Sequence, residues 1–310
     1  MAPDDIRRIK PANEREVPAK VDIEEVNAWR RSELAGFLKK ARGRARPEVA
    51  GIEVGARRRT SGLRREEVAA LAEVSTIWYT WLEQGRDVQA SGRLLSALAT
   101  ALQLNQSERE YLRYLGRITQ PRIVDLASPQ TNLRQLLAQL PVPGILVDHH
   151  WRIIGRNSGA DALLWNGDEG QGDNILRSIF LNPTVRELIP DWADLARSAV
   201  SVFRMTYARN IDDLELYWFI KRLRAESAEF TALWDEQIVE AGPRCVKAVR
   251  HWSAGLMRFE FVILRTFDDG DIMLFSLVPA DADSAAAWKR LHEGRAERRG
   301  LRLKELAGGA

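Results

Sequence analysis

The stretch that decides the fold of the N-terminal half reads GLRREEVAALAEVSTIWYTWLEQGR and spans residues 62–86. Its first part places apolar residues on one helical face until residues 73–75 interrupt the pattern. Ser75 can then cap a second helix, because its side-chain oxygen can accept a hydrogen bond from the first turn. Tyr79 and Leu82 fall on the inner face of that helix. The stretch therefore predicts a helix, a three-residue turn and a second helix.

The segments around this pair predict a larger helical domain. One helical pattern precedes the pair after Trp29, and two follow it, from Ser91 to Leu102 and from Ser107 to Leu115. Residues 29–117 therefore predict a five-helix domain. Residues 1–28 are polar and predict a flexible arm, and residues 118–130 predict a linker.

The charge of the chain is unevenly distributed. The total is only +3, but residues 29–121 hold 17 basic and 10 acidic side chains, a net of +7. Residues 122–279 hold 17 and 21, a net of −4. A basic block next to an acidic one indicates two domains with different partners.

A basic helix-turn-helix of this kind predicts a way of reading duplex DNA. The second helix would lie in the major groove, where its N-terminal side chains reach base edges. We expect base contacts from Thr76, Ile77, Thr80 and Trp81. We expect phosphate contacts, which add affinity without sequence information, from Arg57, Arg58, Arg59, Arg64, Arg65 and Arg86. Two alternatives stay open: the Arg57–Arg59 run is a solvated surface, or Trp81 packs against the second domain.

The second half mixes strand and helix patterns. Two short apolar runs flank Asp148-His149-His150, helical patterns follow to about residue 240, and three alternating segments come last. This order predicts an α+β domain in which helices cover a small antiparallel sheet. We assign it residues 131–295, followed by a flexible tail over residues 296–310.

The chain resembles the MmyB-like transcription regulators. In the first half the resemblance rests on residues 62–86 and on ELAGFLKKAR at residues 33–42. In the second half it rests on LPVPGILVD, NILRSIFLNP, DWADLA, DDLELYWFIKRLRAESAEFTALW and the spacing of Lys247, His251 and Gly255. This chain departs from the family pattern at Glu73, where the turn glycine is usual, at Trp81, where an arginine is usual, and at Gln237 and Trp252.

The resemblance implies an all-α, lambda-repressor-like helix-turn-helix domain followed by an α+β PAS-like ligand-binding domain. It also implies a double-stranded DNA operator as partner and a small apolar ligand, with a fatty acid the example known in the family. Apolar or titratable side chains that could line or anchor that ligand are Trp192, Phe203, Trp234, His251, Met257, Phe259 and Phe261. For the aromatic residues a purely structural role in the core stays open, and for His251 a place in a surface charge group does.

Other classes of function have little support in the sequence. There is one cysteine, Cys245, and four histidines, and no phosphate-loop or dinucleotide fingerprint is present. No apolar run is long enough for a membrane span. We therefore expect no catalytic site, no metal and no cofactor, and a cytoplasmic, nucleoid-associated homodimer. Two rival hypotheses are a protein-interaction module, and a DNA-binding protein whose second domain only dimerises.

Overall fold

A computed structural model of the chain describes residues 23–53, 60–116, 130–165, 174–239, 246–266 and 272–307. The helices are α1 (Ile23–Arg44), α2 (Arg65–Leu71), α3 (Thr76–Glu83), α4 (Gly92–Ala101), α5 (Gln106–Leu115), α6 (Gln130–Gln139), α7 (Ser158–Ala160), α8 (Ile175–Leu181), α9 (Pro183–Leu188), α10 (Trp192–Arg209), α11 (Leu214–Glu226), α12 (Ala228–Asp235) and α13 (Ala282–Ala307). The strands are β1 (Gly144–Val147), β2 (Ile153–Arg156), β3 (Val246–His251), β4 (Gly255–Arg265) and β5 (Met273–Pro279). A 3-10 turn follows α1 at Glu48–Ala50, and a π-helical turn follows α7 at Asp161–Trp165.

The chain divides into two compact units. The helical unit contains the described residues of 15–122 and 198–241, and the sheet unit contains those of 123–197 and 242–310. Helix α10 carries residues of both units, because the division falls after Arg197. The helical unit therefore takes its residues from two separate parts of the sequence.

The helical unit is built on α1 to α5, as the sequence predicted. Its core includes Phe37, Tyr79, Leu98 and Tyr111, which are almost completely buried. Phe37 and Tyr111 meet edge to face with ring centroids 5.1 Å apart, a geometry that aromatic pairs favour. Helix α1 begins at Ile23, so the last part of the predicted arm is helical.

The sheet unit contains a five-stranded antiparallel sheet with the order β2-β1-β5-β4-β3. Its five strands fall where the sequence predicted them. Phe261 pairs with Leu277, and Phe275 pairs with Ile145, so these side chains lie on one face of the sheet. Helix α6 packs on the opposite face, where Leu137 is fully buried. The unit is an α+β domain.

The predicted flexible tail is wrong for most of its length. Helix α13 continues to Ala307, because the sequence after residue 295 is rich in Arg, Glu, Leu and Lys, which are good helix formers. The predicted linker over residues 118–130 lies outside the described residues except at its last position, where α6 begins.

Candidate nucleic-acid interface and ligand pocket

Helix α3 presents a set of side chains that point away from its own core. Tyr79 and Leu82 are buried beneath it. Ile77 is 64% exposed and Trp81 is 39% exposed, one helical turn apart. Thr76 and Thr80 lie beside them at the same spacing. The helix thus offers two hydroxyls and two large apolar side chains to a partner.

The hydroxyl of Thr80 already uses its donor within the helix. Its Oγ1 donates to the carbonyl of Thr76 at 2.7 Å. In this rotamer the hydroxyl proton is used within the helix, and the oxygen lone pairs remain for an incoming donor. In a major groove the matching donors are the amino groups of cytosine and adenine.

The turn before α3 contains Glu73, the residue that stands where the family usually has a glycine. Glu73 has φ of 57°, in the left-handed region that favours glycine. Ser75 then caps α3 by accepting a hydrogen bond from the Trp78 N–H at 3.1 Å. The cap and the turn together set the angle between α2 and α3.

A buried carboxylate supports α3 from below. Glu83 is fully buried, and its two oxygens accept from Arg42 Nε at 2.6 Å and from Arg65 Nε at 2.7 Å. Burial raises the pKa of Glu83, but the hydrogen bonds from Arg42 and Arg65 outweigh it and hold the pKa below its ordinary value. Arg65, predicted to contact phosphate, is therefore oriented by an ion pair and keeps part of its surface in solvent.

Two further predicted phosphate contacts lie near α3 and α2. Arg86 is exposed, and its guanidinium carbon lies 5.6 Å from the centroid of the Trp81 ring. Arg64 is half-exposed next to Glu66. Both side chains are accessible to a polyanion. The remaining predicted contacts, Arg57, Arg58 and Arg59, lie outside the described residues.

A buried polar cluster joins α1 to α10 and α12 within the helical unit. Arg204 is fully buried, and its Nη1 donates to Glu33 Oε2 at 3.0 Å and to Gln237 Oε1 at 2.9 Å. Trp234 Nε1 donates to the other oxygen of Glu33 at 3.0 Å. The Arg204 guanidinium carbon also lies 4.0 Å from the Trp234 ring centroid. The cluster ties the helix-turn-helix part of the unit to residues 198–241.

No pattern in the sequence indicated this buried cluster. Glu33 and Arg204 are separated by 171 positions, so no local pattern links them. A weak signal is the charge itself, since Glu33 and Arg204 each lie next to apolar residues that are buried on the same helix. Charged residues are seldom fully buried unless they are paired.

The sheet unit contains an apolar pocket with a cavity volume of about 100 Å³. One wall is the sheet face with Ile145, Phe261, Phe275 and Leu277. The π-helical turn and helices α8 to α10 close the rest, through Leu164, Trp165, Ile175, Ser178, Ile179, Asn182, Thr184, Val185, Leu188, Ile189 and Leu195. Among the described residues that line the pocket, Ser178, Asn182 and Thr184 have uncharged polar side chains, and none carries a formal charge.

Comparison with known families identifies both parts of the chain. Residues 129–291 match the model of the MmyB-like transcription regulator ligand binding domain, which is more than half of the chain. The chain belongs to the MmyB-like transcription regulators. Residues 33–112 match a helix-turn-helix domain. No curated protein is significantly similar to the chain.

These matches define the general function of this MmyB-like regulator. It is a DNA-binding transcriptional regulator with a ligand-binding domain, and both matched domains are of a regulatory type. In the described part of the chain, no helix combines the length and the apolar character that crossing a membrane requires.

The predicted ligand contacts of the MmyB-like regulator fall in different places. Phe261 lines the pocket. Met257 and Phe259 lie farther along the same face of β4 and are completely buried in the core beside it. Trp192 packs behind the pocket wall, where its Nε1 donates to the Ile179 carbonyl at 2.8 Å. The predicted sheet face forms one wall of the cavity, which lies closer to β5 and β1 than to Met257 and Phe259.

Phe203 and Trp234 belong to the helical unit of the regulator, and neither lines this pocket. Both are fully buried, and their ring centroids are 6.2 Å apart. A tryptophan pattern at helical spacing did not distinguish a core from a pocket wall, because both environments are apolar.

His251 has a structural environment. Its Nε2 is 3.0 Å from the Ala162 carbonyl, and its Nδ1 is 3.2 Å from the N–H groups of Ser253 and Ala254. A neutral ring with the proton on Nε2 satisfies all three contacts. His251 thereby closes the turn between β3 and β4, and it does not line the pocket.

Proposed function

We propose that this MmyB-like regulator recognises a specific operator through α3 and that a small apolar effector in the sheet-unit pocket modulates the recognition. The observation that carries the proposal is the outward face of α3, where Thr76, Ile77, Thr80 and Trp81 stand above a buried base formed by Tyr79 and Leu82. A fatty-acid-like molecule is the effector class that we favour. The regulator would act on chromosomal DNA in the cytoplasm.

The side chains on α3 suit a major groove. Ile77 can contact a thymine methyl group, and the Thr80 oxygen can accept from an exocyclic amine. Arg64, Arg65 and Arg86 would neutralise phosphates on either side of the reading helix. Trp81 adds a large apolar surface where an arginine is usual in the family, so we expect this regulator to prefer a different base at the matching operator position.

The effector half of the proposal rests on the pocket. An apolar lining with three uncharged polar side chains favours a ligand that is mostly hydrocarbon. If such a ligand changes the affinity for DNA by some factor, operator DNA must change the affinity for the ligand by the same factor. This reciprocity can be measured.

We also propose that the regulator binds as a homodimer. One reading helix covers only a few base pairs, which is too few to specify a site in a genome. Two copies on half-sites about one helical turn apart give the needed discrimination. The operator should accordingly be an inverted repeat.

The test is selection of duplexes by the full chain, followed by fluorescence anisotropy on the selected site and on an unrelated duplex. Ile77→Ala should lose affinity for the selected site only. Val49→Ala is the matched control, since Val49 is an equally exposed aliphatic residue of the same unit. Arg64→Ala should lower affinity for both duplexes and reduce the salt slope by about 1, whereas exposed Arg93→Ala should not.

If no duplex is selected at low salt, the DNA-reading proposal fails and the protein-interaction hypothesis replaces it. The effector is tested separately by native mass spectrometry of the purified chain with added fatty acids of increasing length. Failure to retain any apolar molecule would leave a DNA-binding protein whose second domain only dimerises.

A further inference from the structure

The sheet face opposite the pocket is only partly covered in the described part of the chain. Helix α6 packs on it over β1 and β2, and Leu274 of β5 is buried there. Leu274 pairs with Leu264 of β4, which is exposed. We call the uncovered part, over β3, β4 and the end of β5, the open sheet face. Its main members are Val246, Leu256, Arg258, Glu260, Leu264 and Val278.

The open sheet face is rich in apolar side chains. Its four large aliphatic members are each between 39% and 57% exposed. Val246 and Val278 lie on either side of Glu260, one on each neighbouring strand. Because side chains alternate along a strand, these residues stand on the same side of the sheet as a flat layer. Exposed apolar residues that are grouped in this way mark an interaction surface, whereas single ones do not.

Two opposite charges stand at the centre of the open sheet face. Arg258 and Glu260 are two residues apart on β4, so their side chains project from the same face. Asp281, which is exposed, attracts Arg258, but neither Arg258 nor Glu260 forms an ion pair within the described part of the chain. Covering unpaired charges is costly. A partner should therefore bring an acidic group to Arg258 and a basic group to Glu260.

A second copy of the same face supplies this charge pattern. A two-fold axis that lies in the plane of the face and crosses β4 at Phe259 would place Arg258 opposite Glu260 of the second copy. The same axis would place Glu260 opposite Arg258 of that copy, as the self-complementarity of a two-fold interface requires. Stacked sheets lie about 10 Å apart with their strands nearly aligned. Arginine and glutamate side chains from the two faces can meet across that distance.

We propose that the open sheet face is the dimer interface of this regulator and that its occupant is a second copy of the chain, packed face to face. The aliphatic side chains form the apolar centre that such interfaces have. The reciprocal pairs of Arg258 with Glu260 set the register and disfavour other partners. This inference rests on the proposed homodimer and assigns its surface. Since the contact lies in the sheet unit, dimerisation does not require DNA.

The experiment measures the mass of the full chain by sedimentation velocity over a range of concentrations without DNA. The wild type should sediment as a dimer. Arg258→Glu and Glu260→Arg each bring like charges together twice in the interface, so each should weaken self-association by about tenfold or more. The two single variants should associate with each other when mixed, because each supplies the charge that the other lacks. The double variant, which exchanges the two charges, should dimerise as the wild type does.

The matched control is Arg290→Glu, which reverses an exposed arginine of α13. Helix α13 packs on the pocket side of the sheet through Trp288, so this variant should sediment as the wild type. Circular dichroism checks that every variant is folded. A wild type that stays monomeric up to its solubility limit would overturn the inference. Single variants that dimerise as well as the wild type, or that do not associate when mixed, would overturn it too, since the dimer would then use another surface.

DNA binding is measured separately, so that the interface and the reading of DNA can fail independently. Arg258→Glu should bind a single half-site with the wild-type affinity and lose affinity for the operator with two half-sites. A monomeric wild type that still binds its operator would refute the interface and leave recognition by α3 standing. A dimer with the expected charge pairs that binds no duplex would refute the reading of DNA and leave the interface standing.

Discussion

Thr80 illustrates how a single hydroxyl on the reading helix is constrained. Because its proton is donated to the Thr76 carbonyl, the side chain acts as an acceptor. We predict that Thr80→Val will weaken binding to the selected operator by about 1 kcal/mol, or about fivefold, through loss of one hydrogen bond to a base amine. Anisotropy on an unrelated duplex should show no change.

The control for Thr80 is Thr100→Val in α4. Thr100 is exposed, and its Oγ1 also donates to a carbonyl one turn earlier, that of Ser96, at 3.2 Å, while it accepts from Arg109 Nη1 at 3.4 Å. Both variants therefore remove a hydroxyl that donates to the carbonyl four residues earlier in a helix of the same unit. An equal loss of operator affinity in both variants would refute the reading role of Thr80.

Glu83, at the end of α3, forms ion pairs with Arg42 and Arg65. These ion pairs make the free energy of unfolding depend on pH. Its pKa is lowered from the ordinary 4.5, so its ion pairs contribute fully above that pH and are lost as the pH falls through the lower folded-state value. We predict that Glu83→Gln will reduce the free energy of unfolding by about 3 kcal/mol at pH 7. The difference from the wild type should shrink below about pH 4.5 as the wild-type carboxyl protonates.

Urea denaturation between pH 7 and pH 3 checks this prediction for Glu83. Glu66→Gln is the control, since Glu66 is an exposed carboxylate of the adjacent helix α2. A gap between wild type and Glu83→Gln that stays constant over the whole pH range would show that the buried ion pairs are not the source of the effect.

At the scale of elements, the close approach between the end of α1 and the start of the helix-turn-helix depends on one glycine. A Cβ at Gly62 would lie 2.3 Å from the Arg42 carbonyl oxygen and 2.4 Å from that of Gly43. We predict that Gly62→Ala will lower the melting temperature of the helical unit by several degrees, because backbone atoms of α1 must shift. Thermal unfolding followed by circular dichroism measures this.

Gly43 is the matched control for Gly62. It lies in α1, and a Cβ there would have no atom within 4 Å. Gly43→Ala should leave the melting temperature unchanged or raise it, because alanine is the better helix former by about 1 kcal/mol. Similar destabilisation by both alanines would contradict the steric argument.

The elements themselves were largely predictable from the sequence, since their signals are local. The Ser75 cap and the apolar spacing of Tyr79 and Leu82 defined α3, and alternation defined β3 to β5. The early start of α1 at Ile23 and the continuation of α13 to Ala307 were missed, because a polar helix end has no apolar period that distinguishes it from a flexible arm.

The candidate pocket was less predictable than the elements. The sheet face around Phe261 follows from strand alternation, but Ile179, Val185 and Leu188 come from short helices whose apolar residues resemble an ordinary core. The placement of Ile145 opposite Phe275 in the pocket wall depends on strand register, which the sequence alone did not specify. Sites assembled from several elements require the tertiary structure.

At the scale of the whole molecule, the family match and the compact units divide the chain differently. The ligand-binding match covers residues 129–291, yet residues 198–241 belong to the same unit as the helix-turn-helix. The DNA-reading part of this regulator is therefore built with helices from its ligand-binding domain. Residues 198–241, which the ligand-binding match covers, therefore contribute to the stability of the unit that contains α3.

The ion pair of Arg204 with Glu33 connects α10 to α1. Its contribution to the stability of the helical unit can be measured. We predict that Arg204→Met and Glu33→Gln will each destabilise the helical unit by about 3 to 5 kcal/mol, because each leaves a buried charge without the opposite charge beside it. The double variant should cost clearly less than the sum of the two, since it removes both charges. Urea denaturation of the full chain gives the three values, and exposed Arg93→Met is the control for the loss of an arginine in the same unit. Additive losses would mean that the two residues act independently. The expected coupling between the two substitutions is about 1 kcal/mol or more. The single variants, but not the double variant, should also lose operator binding at 37 °C. Together these results would show that helices α10 to α12 stabilise the fold in which α3 binds DNA.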